Sequence, residues 1–150
     1  MPGVSTYLNF PRNTEEVFNF YRSVFGGEFA NNLMRFSDLP KTVVSPKIAD
    51  KDMNLIIHSE LPLPGGHLLM GTDAPESMEF NLITGNNIHI NIEPDTKAET
   101  LRLFKALSDG GKITMELQDM FWGGYYGTCS DKFAIQWMFN FVSKTADLTP

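Results

Sequence analysis

Ile88-His89-Ile90-Asn91-Ile92 alternates apolar and polar residues as a strand with one covered face does, and the segment behind it decides the fold. Thr96 with Glu99 offers a capping box, Leu101, Phe104 and Leu107 read as the inward face of an amphipathic helix, and Gly110-Gly111 stops it. The N-terminal half carries the same order. Tyr7-Leu8-Asn9-Phe10 alternates, Asn13 with Glu16 marks a helix start, Val17, Phe18, Tyr21, Val24 and Phe25 share one helical face, and Gly26-Gly27 ends it. An offset of 82 residues lays Tyr7 on His89, Asn9 on Asn91 and Asn13 on Asp95, whereas the Gly-Gly stops need 84.

Around these paired signals the remaining strands fall into place. Residues 53–60 and 67–72 read as strands joined by the turn-rich Leu61-Pro62-Leu63-Pro64-Gly65-Gly66, residues 29–36 as a further strand, and residues 38–51 as loop. After the second helix, residues 113–117, a Gly-rich aromatic segment and residues 133–142 supply the rest. The expectation is an α+β chain of two βαβββ units, with internal repeats at about residues 5–72 and 86–142 of a single domain, 1–150.

Composition narrows the function. One hundred and fifty residues, 42% of them hydrophobic, bury enough surface for a core without staples. The one cysteine, Cys129, has no intrachain partner, and no Cys-x-x-Cys pair exists, which fits a reducing, cytoplasmic setting and a buried structural thiol. Eighteen Asp and Glu against 12 Lys and Arg give a net charge of -6, which disfavours nucleic acid and anionic membranes. No apolar run is long enough to span a bilayer, and the most apolar later stretch is broken by Gln136 and Asn140. None of the 12 glycines forms a Gly-x-Gly pattern, so nucleotide cofactors are not expected.

Five segments resemble the vicinal oxygen chelate superfamily of glyoxalase, bleomycin-resistance and extradiol dioxygenase proteins, and most closely its PhnB-like branch. They are Tyr7-Leu8-Asn9-Phe10; Phe20-Tyr21-Arg22-Ser23-Val24-Phe25-Gly26-Gly27; Ile57-His58-Ser59-Glu60-Leu61; Leu69-Met70-Gly71-Thr72-Asp73-Ala74; and the tail from Leu117-Gln118-Asp119-Met120-Phe121-Trp122-Gly123 through Thr128-Cys129-Ser130-Asp131-Lys132-Phe133-Ala134-Ile135-Gln136-Trp137-Met138. The resemblance covers residues 5–141 and implies a curved mixed sheet with helices on its convex side, a ligand cavity on its concave side, and a homodimer. On that fold, alternation sends Leu8, Phe10, Ile88, Ile90, Ile92, Ile135, Trp137 and Phe139 toward the helices. Tyr7, Asn9, His89, Asn91, Gln136 and Met138 then face the cavity.

The resemblance also implies, for metal-dependent members, a divalent ion held by about four His and Glu side chains from the first and last strands of each unit. His89 stands at one such position, but its counterpart is Tyr7, Gln136 replaces the usual Glu, and the remaining strand offers Leu69 or Met70. A metal is therefore not favoured; one that bound would use His89 and Gln136. His58 is a further ligand-facing candidate, and His67, at a turn, is expected in solvent. Trp122 and Tyr125, within Phe-Trp-Gly-Gly-Tyr-Tyr-Gly, offer rings to close over a planar ligand, whereas Phe121 reads as a packing residue. Glu60, Glu93 and Asp119 have no partner in the sequence pattern, so no general base is assigned.

The leading expectation is a PhnB-like protein that binds a small organic molecule, its status as an enzyme open. Competing readings are a divalent-metal enzyme of lyase, isomerase or dioxygenase type, with His89 helped by Gln136 or His58, and a drug-sequestering resistance protein. Names referring to ubiquinone-type methyl transfer are attached to some PhnB-like sequences, but the glycine pattern does not support the nucleotide-cofactor pocket that this chemistry needs.

Overall fold

The computed structural model describes residues 3–31, 33–40 and 48–143. The chain divides into two compact units, Met1–Ile83 and Thr84–Pro150. The first holds β1 (Thr6–Phe10), α1 (Thr14–Phe25), β2 (Met34–Arg35), β3 (Ile56–Pro62) and β4 (Leu68–Asp73). The second holds β5 (Ile90–Ile92), α2 (Lys97–Ser108), β6 (Lys112–Asp119), β7 (Gly124–Ser130) and β8 (Gln136–Val142). Each forms a four-stranded mixed sheet, in the orders β1-β4-β3-β2 and β5-β8-β7-β6. In each, the first and last strands run parallel and the other pairs antiparallel. The expected βαβββ order is present twice.

Helix α1 forms because its apolar positions recur on one face, and Val17, Phe18, Tyr21 and Val24 are buried. Gly71 on β4 makes room for them: a Cβ there would come within 2.5 Å of the Phe18 ring. At the other end Gly26 (φ +77) stops the helix, its N–H bonding the Arg22 carbonyl at 2.8 Å.

The start of α1 departs from expectation. Asn13 is the N-cap residue but makes no side-chain cap bond, and its Oδ1 is shut off from solvent without a partner among the described residues. Asp73, at the end of β4, caps the helix instead. Its Oδ1 accepts from the Thr14 N–H at 3.0 Å and its Oδ2 from the Ile56 N–H at 2.8 Å. A carboxylate at a helix N-terminus bonds more strongly than a neutral amide, so the distant aspartate displaces the local cap. Nearby, buried Asp52 accepts from Arg12 at 2.7 Å and from Ser77 at 2.9 Å. The Arg12 guanidinium holds the Asp52 carboxyl below the usual carboxylate range.

Helix α2 is capped locally as expected, with Thr96 Oγ1 accepting from the Glu99 N–H at 3.0 Å. Its buried face, however, is Thr100, Leu103, Phe104 and Leu107, whereas Leu101 is 38% exposed. Helical geometry explains the correction: positions 100, 103, 104 and 107 follow the three-and-four spacing of one stripe, and Leu101 is rotated away from it.

Other boundaries differ from expectation: β3 begins later but runs through Leu61 and Pro62, read as turn, and β6 exceeds residues 113–117 at both ends. Among the described residues of 29–36, Met34–Arg35 is strand, and Phe36–Asp38 turns into a 3-10 helix. Within the expected loop, residues 41–47 lie outside the described residues, and Asp50–Asp52 is a second 3-10 turn. β5 starts at Ile90, leaving Ile88 75% exposed rather than turned toward α2. β8 starts at Gln136 because Asp131 pins the preceding turn, accepting from the Phe133 and Ile135 N–H groups at 2.8 and 3.1 Å and from the Trp137 indole at 2.9 Å. No helix among the described residues is long and apolar enough to cross a membrane.

Candidate functional site

In the second unit the pairing register sorts side chains between two faces. Phe139 meets Phe104 of α2 edge-on, with centroids 5.8 Å apart. Gly127 is opposed to Phe139 and Cys129 to Trp137, which places these positions beneath the helix. Alternation puts Tyr126, Thr128, Gln136, Met138 and Asn140 on the other, helix-free face, where Tyr126 pairs with Asn140 and Thr128 with Met138. Asn91 of β5 pairs with Met138, and His89, partly buried, immediately precedes β5 outside the paired register.

Trp122 reaches this face through the β6–β7 hairpin. Gly123 (φ +91) permits the turn, closed by the Gly123 N–H on the Met120 carbonyl at 3.0 Å. The indole folds back over Gly124, where any Cβ would strike the ring. Its edge meets Tyr126 at 6.4 Å between centroids and 70° between planes, and the residue stays 44% exposed. The two tyrosines part ways: Tyr125 faces α2, with Lys97 Nζ 4.5 Å from its ring centroid. Tyr126, rather than the expected Tyr125, shares the face of Trp122 and Met138. Phe121, expected as a packing residue, is 98% exposed at the hairpin tip and joins no core within the chain.

Two amides on β8 behave differently. Gln136 Nε2 donates to the Ile88 carbonyl at 2.9 Å, extending the parallel pairing of β5 and β8 by one side-chain bond. Asn140, in sequence no more than a break in an apolar run, has its Oδ1 shut off from solvent without a partner among the described residues. Only knowledge of the register, which sets Asn140 beside Tyr126, gives it a place on this face. Asn91 Nδ2 donates to Glu93 at 3.3 Å at the exposed margin.

The helix-free face of the first unit is built from different chemistry. Tyr7, Met70 and Glu60 stand in one cross-strand row, and Asn9 pairs with Thr72 in the next. His58, two residues before Glu60, points to the same side, and its Nε2 lies 2.8 Å from Glu60 Oε1. The Tyr7 and His58 rings are 6.1 Å apart. Glu60 is thus not isolated, and neither is Asp119, 3.1 Å from Lys97 Nζ. Pairing within a strand face or from helix to strand is invisible to a linear reading. His67, expected in solvent, is half-buried with its Nε2 2.8 Å from Thr6 Oγ1. Leu69, one of two first-unit metal-position candidates, is wholly buried, leaving Met70 on the open face.

Cys129 is buried, and desolvation with help from Asp131 pushes its thiol up to about 12, so thiolate chemistry is closed to it at neutral pH.

The family model of the Glyoxalase/Bleomycin resistance protein/Dioxygenase superfamily matches residues 5–139. The chain belongs to this superfamily. Protein YjdN of Escherichia coli (strain K12) is 25% identical over 146 residues, covering 94% of this chain and 96% of the relative. The crystal structure of protein PA1353 from Pseudomonas aeruginosa is similar with a TM-score of 0.81 and 30% identity, covering 96% of this chain and all (100%) of the other. A Bacillus cereus PhnB protein, described as a putative 3-demethylubiquinone-9 3-methyltransferase, shares the fold with a TM-score of 0.73 at 22% identity, covering 94% and 100% of the two chains. The family read from the five segments is the one found, and a PhnB protein is among its structural neighbours.

The side chains at the positions where the superfamily resemblance would put metal ligands are Tyr7 and Met70 in the first unit and His89 and Gln136 in the second, and neither pair makes a donor set that fits a divalent ion. Met70 offers a thioether and Tyr7 a phenol, poor partners for a hard or borderline cation. Gln136 offers a neutral amide oxygen without the charge that offsets a dication, its Nε2 donating to the Ile88 carbonyl. His89 alone is a good ligand. Among the described residues no group of three or more His, Cys, Asp or Glu is placed to hold a metal ion.

Proposed function

We propose that this superfamily member binds a small, neutral, planar or amphipathic organic molecule on the helix-free face of its second unit, without a resident metal. The observation that carries the proposal is the half-exposed Trp122 indole, folded over Gly124 and edge-on to Tyr126 at the end of a face otherwise lined by amides, Met138 and His89. Such a lining offers stacking and hydrogen bonds with little fixed charge, which suits uncharged ligands better than phosphates. A homodimer, carried by the resemblance, and a cytoplasmic location, carried by the lone cysteine, belong to the same proposal, as does the absence of nucleic-acid and membrane partners.

The test is a ligand screen by thermal shift with and without divalent ions, repeated on Trp122→Ala and His89→Ala. Trp122→Ala is expected to abolish ligand-induced stabilisation. His89→Ala is expected to weaken it while changing unliganded stability by less than about 1 kcal/mol, since His89 is only partly buried. A loss above about 3 kcal/mol would place His89 in a buried network instead. One tightly bound ion per purified chain would overturn the metal-free reading, and a monomer by light scattering would remove the dimer.

A further inference from the structure

The His58–Glu60 pair takes no part in the proposed binding face, and its geometry is that of an oriented base. Both residues project from the open side of β3 and keep 28% and 21% of their side-chain surface accessible. The 2.8 Å contact runs between Glu60 Oε1 and His58 Nε2, and Nδ1 has no hydrogen-bond partner among the described residues. A carboxylate accepting from Nε2–H fixes the tautomer that leaves the lone pair on Nδ1. Of the neighbours that the strand pairing sets around the pair, Tyr7 from β1 is titratable, while Met70 and Thr72 from β4 and Met34 from β2, opposite His58, carry no charge.

The same face supplies a second polar group. Asn9 pairs with Thr72, and the β3–β4 register that sets Ser59 against Gly71 brings His58 level with Thr72 on Asn9's row. With adjacent strands about 4.8 Å apart, the Asn9 and His58 backbones are separated by two spacings, about 10 Å, with the short Thr72 side chain between them. Thr72 Oγ1 is engaged by backbone carbonyls of Ile56 and Asp73, so Asn9 is the amide donor available on that row.

We propose that His58, positioned by Glu60, is the general base of a metal-independent proton-transfer site for small planar carbonyl compounds. His58 Nδ1 takes the proton from the carbon next to the carbonyl. The C–H electron pair moves into the carbon–carbon bond, and the carbonyl π pair moves onto oxygen, where Asn9 Nδ2–H donates to the developing anion. The His58 imidazolium then returns the proton to the same carbon or to a conjugated one, so the step is redox-neutral and closes without a co-reactant.

The experiment follows α-proton exchange of 2-indanone, a flat neutral carbon acid, by ¹H NMR in D₂O with the full chain. The wild type is expected to exchange at least about a hundredfold faster than H58Q, with EDTA without effect. E60Q is expected to lower kcat at least about tenfold with KM unchanged, the signature of a positioning residue, and N9A to lower kcat about tenfold. Exchange no faster in wild type than in H58Q would overturn the proposal, as would its loss on adding EDTA. Should H58Q fail to fold, the kcat and KM of E60Q and N9A decide, and equal values to wild type would overturn it. Trp122-dependent thermal shifts report on the other face, so either reading can fail while the other stands.

Discussion

The two units share a strand order but hold their helices by different means. α2 is closed from within: Thr96 caps Glu99, three residues on. α1 is closed from without, by an aspartate at the far end of its sheet that binds both the helix start and the first residue of β3. The open faces differ in the same spirit. The first carries a titratable pair, His58 and Glu60, while the second carries aromatic rings and amides. The two units therefore share a backbone order and differ in capping and surface chemistry.

The sharpest way to break this comparison is to remove each cap. Asp73→Ala leaves two buried N–H groups without a charged acceptor and is expected to cost about 3–5 kcal/mol by urea denaturation. Thr96→Ala should cost about 1 kcal/mol. Equal losses would show that the two helix starts are energetically alike and would dissolve the contrast.

A second comparison uses one substitution on two faces. Gly71→Ala drives a methyl into the Phe18 ring inside the core and is expected to cost about 1–3 kcal/mol. Gly124→Ala meets the half-exposed Trp122 indole first, which can swing aside, so stability should change by less than about 1 kcal/mol while Trp122 fluorescence shifts toward that of a solvated indole. A large stability loss at Gly124 would make the indole a structural prop rather than an open binding surface.

The smallest effect concerns acid. Because Arg12 holds the Asp52 carboxyl below its usual range, the unfolded chain takes up that proton at a higher pH than the fold does. The resulting stability is fully present above the unfolded carboxylate pKa and is lost as pH falls through the lower folded one. Arg12→Gln should therefore move acid unfolding, followed by circular dichroism, to a higher pH. An unchanged midpoint would mean that the pair contributes nothing specific to the first unit.

What the sequence discloses, and what it hides, divides along the same line. Contacts closed over a few residues are legible: the Thr96 cap, the Gly26-Gly27 stop and the inward Trp137 and Phe139 all follow from local spacing. Contacts closed by the sheet are not. Asn13 satisfies every local rule for a cap and is displaced by Asp73; Glu60 looks isolated until alternation sets it beside His58; Tyr125 and Tyr126 are interchangeable until the register sends them to opposite faces. Leu101 misleads for a simpler reason, since a stripe of three apolar residues does not fix the helical phase that Leu103 and Thr100 complete.

The distant cap also bears on the order of assembly. Thr14 and Asp73 are 59 residues apart, so the first turn of α1 cannot be satisfied until β4 has docked beside β1. α2 can close its own first turn as soon as it is made. The helix start of the second unit is thus a local structure, whereas that of the first unit is a non-local one, tying the cap of α1 to the presence of the final strand.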